Sequence, residues 1–107
     1  MSREVIISRE GKLDILEIWN FMADVEGFNE ADNLVKEIEK IIYSLAENPE
    51  RGHVPPELER VDEYNYREVH CLPYRIIFKI TKEEVIVHCV LDGRRDLQSF
   101  LFQRLIR

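Results

Sequence analysis

Two hydrophobic periods alternate along this chain. Glu4-Val5-Ile6-Ile7-Ser8 is a short apolar run bounded by polar positions, which predicts a strand. Ser8 is placed to cap a helix running to about Val25. There Leu13, Leu16, Trp19 and Ala23, with Ile15, Ile18 and Met22 beside them, follow the i, i+3, i+4 period. Gly27 ends that helix, and Asn29 is a good cap for a second. In the second, Ala31, Leu34, Val35, Ile38, Ile41, Ile42 and Leu45 make one apolar stripe, and Asn48-Pro49 stops it. So few residues join the two helices that they should pair as an antiparallel hairpin.

From Glu50 to Asn65 the period is lost. Gly52, Pro55 and Pro56 predict an irregular loop crossing from the hairpin to a sheet. Alternating runs then predict strands at Tyr66–Leu72, Tyr74–Thr81 and Glu84–Leu91, with Pro73 marking a turn or bulge. Asp96 is placed to cap a short last helix whose buried face is Leu97, Phe100, Leu101 and Leu105. The order predicts a single α+β domain over residues 1–107. It is two-layered, with the N-terminal strand and helical hairpin packed on an antiparallel sheet and a short C-terminal helix.

Composition narrows the class. With 45% hydrophobic and 34% charged residues in 107, the chain reads as globular, with enough length for one modest core. No apolar run approaches the about 20 residues that span a bilayer, and no export signal is visible, so a cytoplasmic location without membrane contact is expected. Cys71 and Cys89 lack metal or redox spacing and are expected to stay free. The formal charge of −6 argues against a generic nucleic-acid coat protein. It is unevenly spread: residues 1–64 hold 7 Lys/Arg against 16 Asp/Glu, and residues 65–107 hold 8 against 5. Two surfaces with different partners, or merely solvated acidic helix faces, both fit that asymmetry.

Candidate chemistry concentrates in the basic C-terminal part. Strand parity puts Tyr74, Ile76, Phe78 and Ile80 on the core face and Arg75, Ile77 and Lys79 on the opposite, more open face. Arg94 and Arg95 lie just beyond the next strand. Together with Arg75 they make a guanidinium cluster suited to clamping phosphate or carboxylate. A second reading stands beside it, in which Arg75 and Arg95 pair with Asp92, Asp96 or Glu68 and stabilise the sheet. His53, His70 and His88 are scattered. His70, His88, Cys71 and Cys89 fit no compact zinc pattern, so neither metal nor cofactor is expected. No phosphate-cradling glycine loop, nucleophile elbow or dinucleotide fingerprint occurs.

Several segments in order resemble one family. Pro73-Tyr74-Arg75-Ile76-Ile77-Phe78-Lys79-Ile80, a four-residue turn, and Val90-Leu91-Asp92-Gly93-Arg94-Arg95-Asp96-Leu97 closely resemble the RelE/ParE superfamily of type II toxin–antitoxin toxins, often labelled plasmid stabilization proteins. Asp14-Ile15-Leu16-Glu17-Ile18-Trp19-Asn20-Phe21, Leu45-Ala46-Glu47-Asn48-Pro49-Glu50-Arg51-Gly52 and Tyr66-Arg67-Glu68-Val69 are similar to its remaining segments. The resemblance implies the RelE/ParE-like fold, a cognate antitoxin and a toxin–antitoxin hetero-oligomer. It implies either ribosome-dependent mRNA cleavage, as in RelE-like members, or poisoning of DNA gyrase, as in ParE-like ones.

Carried over from RelE-like members, the catalytic arginines match Arg75 and Arg95. The family's two strand lysines fall at Arg67 and Val69, and its late tyrosine falls in Phe100-Leu101-Phe102, which has no hydroxyl. RNA cleavage needs a base, a phosphate neutraliser and an acid. Only His70 or His88 remains for the proton steps. The Leu91–Leu97 segment and the acidic balance favour the ParE-like branch, a growth inhibitor that binds its target. On that reading Arg67, Arg75, Lys79, Arg94, Arg95 and Asp96 form a target- or antitoxin-binding surface. A degenerate, non-toxic interaction module is the third reading.

Overall fold

The structure is a computed structural model that describes residues 2–106. Strand β1 (Glu4–Ile7) leads into helices α1 (Arg9–Glu26) and α2 (Phe28–Ser44). Strands β2 (Tyr66–Cys71), β3 (Tyr74–Ile80) and β4 (Glu84–Asp92) follow later in the chain. The segment expected to be irregular holds a 3-10 turn over Pro49–Arg51 and one helical turn, α3 (Pro56–Glu59). Helix α4 (Gln98–Leu105) closes the chain.

The helical hairpin forms as expected, with two corrections. Ser8 caps α1, its hydroxyl accepting the Gly11 N–H at 3.0 Å. Asn29 is not the second cap: α2 starts two residues earlier than such a cap would set it, and Gly27 serves both helices. Gly27 holds φ +101°, a left-handed value that a side chain would disfavour, so the chain reverses within a single residue. The face of α1 is also rotated from the expected one. Leu13 and Leu16 are about half exposed, while Gly11 and Asp14 are buried and Ile15 and Ile18 pack on the core. The cause is local. A Cβ at Gly11 would lie 3.0 Å from the Val87 carbonyl oxygen, so α1 presses its backbone onto β4 at that point. Trp19 bridges the hairpin instead of filling the core. Its indole donates to Asp32 Oδ1 at 2.8 Å and its ring stacks on Phe28.

The sheet order is β1-β4-β3-β2. β2, β3 and β4 form the expected antiparallel meander, and β1 adds to β4 in parallel, Glu4 opposite Glu84. β2 and β3 are joined through a cis Leu72–Pro73 peptide. Cys71 and Cys89 sit on strands flanking β3 and are free.

Both sheet faces are covered. Ile38 and Ile42 of α2, with Leu45 at its C-terminal cap, pack on Val69, Ile76, Phe78, Val85 and Val87. On the other face α3 and α4 place Leu58, Leu97 and Leu101 over Tyr66, Ile77, Cys89 and Leu91. The face expected to be open at Arg75 is therefore roofed, because Ile77, Cys89 and Leu91 are apolar too and must also leave water. Asp96 Oδ1 accepts the Gln98 N–H at 3.2 Å, but α4 starts one residue later than an Asp96 cap would set it, with Leu97 in the cap position. No described helix is long and apolar enough to cross a membrane.

Candidate functional site

The β2–β3 pairing sets Arg75 opposite His70, and alternation puts Tyr66, Glu68 and His70 on the face that carries Arg75. α3 brings Glu57 over the same spot. Arg75 Nε and Nη2 donate to Glu68 Oε1 and Oε2 at 2.7 and 2.8 Å. Its Nη1 and Nη2 donate to Glu57 Oε2 and Oε1 at 2.6 and 2.7 Å. One guanidinium is thus gripped by two bidentate carboxylates. The Glu68 side chain is 1% exposed, and those of Arg75 and Glu57 are 12% and 13% exposed.

Electrostatics follow the geometry. The hydrogen bonds from Arg75 hold the Glu57 carboxyl below its usual range. Burial pushes Glu68 up, but the Arg75 hydrogen bonds and charge outweigh it and leave that carboxyl lowered as well. Arg75 is driven further above its already high value by its bonds to Glu57 and then Glu68.

The stem of Arg75 also explains Gly93. A Cβ there would fall 2.8 and 2.9 Å from Arg75 Cδ and Cγ and 2.9 Å from the Pro73 carbonyl oxygen. The glycine between Asp92 and Arg94 is a place where side chain and backbone cross too closely for any other residue.

A cleft of about 450 Å³ opens beside this network, lined among others by His53, His70, Arg60, Arg94 and Leu72. Glu68 is its hub: His70 Nε2 lies 2.9 Å from Oε1 and His53 Nε2 lies 3.4 Å from Oε2. A second groove of about 190 Å³ runs between α1 and the β3–β4 end, lined by Asp14, Glu17, Ile18, Phe21, Tyr74 and Arg95.

The three expected arginines therefore do not converge. Arg75 and Arg94 share the first cleft, and Arg95 lines the second. Arg94 is exposed and clasps Asp92, Nη2 to Oδ2 at 2.7 Å. Those bonds hold the Asp92 carboxyl down to about 2. Arg67 is engaged within the fold. Its Nη2 donates to the Glu50 carbonyl at 2.9 Å and to the Gly52 carbonyl, tying the segment before α3 to β2. Lys79 Nζ stands 5.9 Å over the Tyr66 ring. His88 lies edge-on to the same ring, its pKa lowered first by burial. It is not among the ligand atoms that His53, Glu68 and His70 bring together.

Asp14 and Arg104 escaped the sequence reading. β1 ends opposite Val87, and beyond it the Val90 N–H donates to Asp14 Oδ2 at 3.0 Å. Arg104 of α4 closes the pair, Nη1 to Asp14 Oδ2 at 2.7 Å and Nη2 to Oδ1 at 3.1 Å, and lies over the Phe100 ring. An aspartate on an otherwise apolar helix face was the available signal.

Comparison with known proteins accords with this geometry. The model of the family described as ParE toxin of type II toxin–antitoxin system, parDE, matches residues 5–97. A solved structure of the chromosomal ParDE toxin–antitoxin system of P. aeruginosa is similar at 15% identity and TM-score 0.69, over 83% of this chain and 94% of that one. A chain of the RelBE2 toxin–antitoxin complex of Mycobacterium tuberculosis is similar at 14% identity and TM-score 0.63, over 86% and 92%. Both likenesses are in fold. No curated protein matches the chain.

Proposed function

Because the chain belongs to the ParE toxin family of type II toxin–antitoxin systems, we propose that it acts in the cytoplasm by poisoning DNA gyrase and is neutralised by a cognate antitoxin. The observation that carries this reading is the ParE-type match over residues 5–97, which spans the hairpin, the sheet and the Asp92–Leu97 turn. The chemistry of the arginines supports binding over catalysis. Cleaving RNA requires a cation free to neutralise the scissile phosphate, and Arg75 is already spanned by Glu57 and Glu68. Helix α4 offers Phe100, Leu101 and Phe102 where a hydroxyl would act.

A binding inhibitor needs exposed anchors. Phe21 and Arg95 line the groove beside α1, and Phe21 is 60% exposed. A disordered antitoxin segment that folds on binding would lay apolar side chains there and set acidic ones against Arg94 and Arg95.

The test is induction of the full chain in cells carrying the native gyrase. The expected result is growth arrest with a DNA-damage response and trapped gyrase–DNA cleavage complexes. Codon-positioned mRNA cuts without those complexes would overturn the proposal in favour of RelE-like cleavage. Unimpaired growth would overturn it in favour of a non-toxic interaction module. Arg94→Glu with Arg95→Glu should leave the unfolding midpoint close to that of the parent chain, as for exposed charges, yet lower toxicity or antitoxin affinity at least tenfold.

A further inference from the structure

Among the described residues, one cluster is used neither by the core nor by the proposed inhibition. His53, Glu68 and His70 each offer one ligand atom, and these lie within 4.8 Å of one another. We propose that they form a site for a divalent transition metal ion of the Zn²⁺ type, on the outer edge of β2.

The donor set suits such an ion. Two imidazole nitrogens and one carboxylate oxygen match borderline metals better than Mg²⁺ or Ca²⁺, which take oxygen ligands. The spacing suits it as well. Bonds of about 2.0–2.2 Å in a tetrahedron place neighbouring ligand atoms about 3.3 Å apart. His53 Nε2 lies 3.4 Å from Glu68 Oε2 and His70 Nε2 lies 2.9 Å from Oε1, so the two rings flank the two oxygens of one carboxylate, with one ligand atom from each residue within 4.8 Å of the others. Ring rotations that turn both nitrogens toward one carboxylate oxygen would close this arrangement to tetrahedral spacing.

The backbone holds these donors in place before any ion arrives. His53 forms an isolated antiparallel bridge with Glu68, with N–H to carbonyl distances of 3.1 and 2.7 Å in the two directions. His70 follows two residues along β2 on the same face. Arg75 occupies one lone pair on each Glu68 oxygen and leaves the others toward the histidines. It thus orients the carboxylate from behind, as outer-shell partners of metal ligands do. Glu57 offsets the Arg75 charge, so the two carboxylates and one guanidinium keep one excess negative charge for a cation.

The His53 and His70 side chains are 58% and 40% exposed, so the fourth coordination position opens to solvent and to the adjoining cleft. Three protein ligands with one open position make a site able to take water or an anionic group, unlike a closed structural zinc.

The test is calorimetric titration of the full chain with ZnCl₂ in a Cys71→Ser background, which removes the more accessible thiol. Cobalt is then added in its place and the visible spectrum recorded. One saturable equivalent is expected, with intense tetrahedral Co²⁺ bands and a metal-dependent rise in Tm. His53→Gln and His70→Gln should each weaken binding at least tenfold, and the double variant should abolish it. His88→Gln should leave it unchanged. Both tested histidines are exposed, so these variants are expected to fold, as circular dichroism would check. Arg75→Lys, which loses the bidentate grip, should weaken binding about tenfold. Failure of the folded chain to bind Zn²⁺ saturably, or binding that survives the double His53/His70 replacement, would overturn the proposal. None of these readouts involves gyrase.

Discussion

Replacing Arg75 by alanine should unbalance the fold before it affects any partner. The substitution removes four charge-assisted hydrogen bonds and leaves buried Glu68 without its guanidinium, with only the His53 and His70 rings beside it. Breaking a buried ion pair from one side costs about 3–5 kcal/mol, most of it the burden of the stranded charge. For a domain of this length each kcal/mol lowers Tm by about 4–8 °C, so Arg75→Ala should lose at least about 12 °C. Glu57→Gln should cost less, about 2 kcal/mol, because Arg75 keeps Glu68 and only one charged pair is lost. Removing the buried pair, Arg75→Met with Glu68→Leu, should recover part of the loss, since Glu68 is no longer stranded and only the partly exposed Glu57 is left without its guanidinium. Urea unfolding in EDTA, which excludes metal from the histidines, reads all four proteins. A loss below about 1 kcal/mol for Arg75→Ala, or a double variant no better than the single, would refute the claim that Arg75 chiefly neutralises Glu68.

Three further outcomes follow from particular contacts. Gly93→Ala should cost about 1–3 kcal/mol by denaturant unfolding, because its methyl would overlap the Arg75 stem and the Pro73 carbonyl. Asp14→Ala should cost about 3 kcal/mol, since it removes the carboxylate bonds to Arg104 and to the Val90 N–H together and leaves Arg104 only the longer contacts to Glu10 and the His88 carbonyl among those described; Asp14→Asn, which can still accept from Val90, should recover part of it. Burial pushes the Cys89 thiol up to about 12, so iodoacetamide should modify Cys71 first and reach Cys89 only on unfolding. The folded state holds the Cys89 proton after the unfolded chain has released it. Stability contributed below about pH 9 should therefore fall above it, by about 1.4 kcal/mol per pH unit until the folded thiol titrates.

The hairpin and the meander were legible because their signals are local. Of the predicted second-helix stripe, Ala31, Ile38, Ile42 and Leu45 are fully buried, and Leu34, Val35 and Ile41 are partly buried at its margins. The place of β1 was not legible, since a four-residue strand carries no mark of its partner and its parallel register with Glu84–Val87 is purely non-local. The face of α1 was misjudged by counting apolar residues. Gly11 and Asp14 hold the inward positions through close approach and a hydrogen bond, neither of which hydropathy detects. The roof over Arg75 was half legible. Val85 to Leu91 is apolar at both parities around Ile86, Val87, Cys89 and Val90, the pattern of a strand buried on two sides. Pro56 at the first position of a helical turn likewise marked α3.

The charge asymmetry of the sequence has a different meaning once the chain is folded. The basic C-terminal part does not present its cations as one surface, because the acidic N-terminal part closes on them. Glu57 reaches Arg75, Asp14 and Glu10 reach Arg104, and carbonyls of Glu50 and Gly52 hold Arg67. Arg95 alone among Arg75, Arg94 and Arg95 makes no ion pair among the described residues, and Arg94 clasps only its neighbour Asp92 in the same exposed turn. Loss of toxicity in Arg75→Ala would therefore report on folding, whereas loss in Arg95→Glu would report on recognition. Partner binding is to be sought at the turn after β4 and along the α1 groove, where charge and apolar surface remain unspent, and not at the arginine that the strand pattern makes most conspicuous.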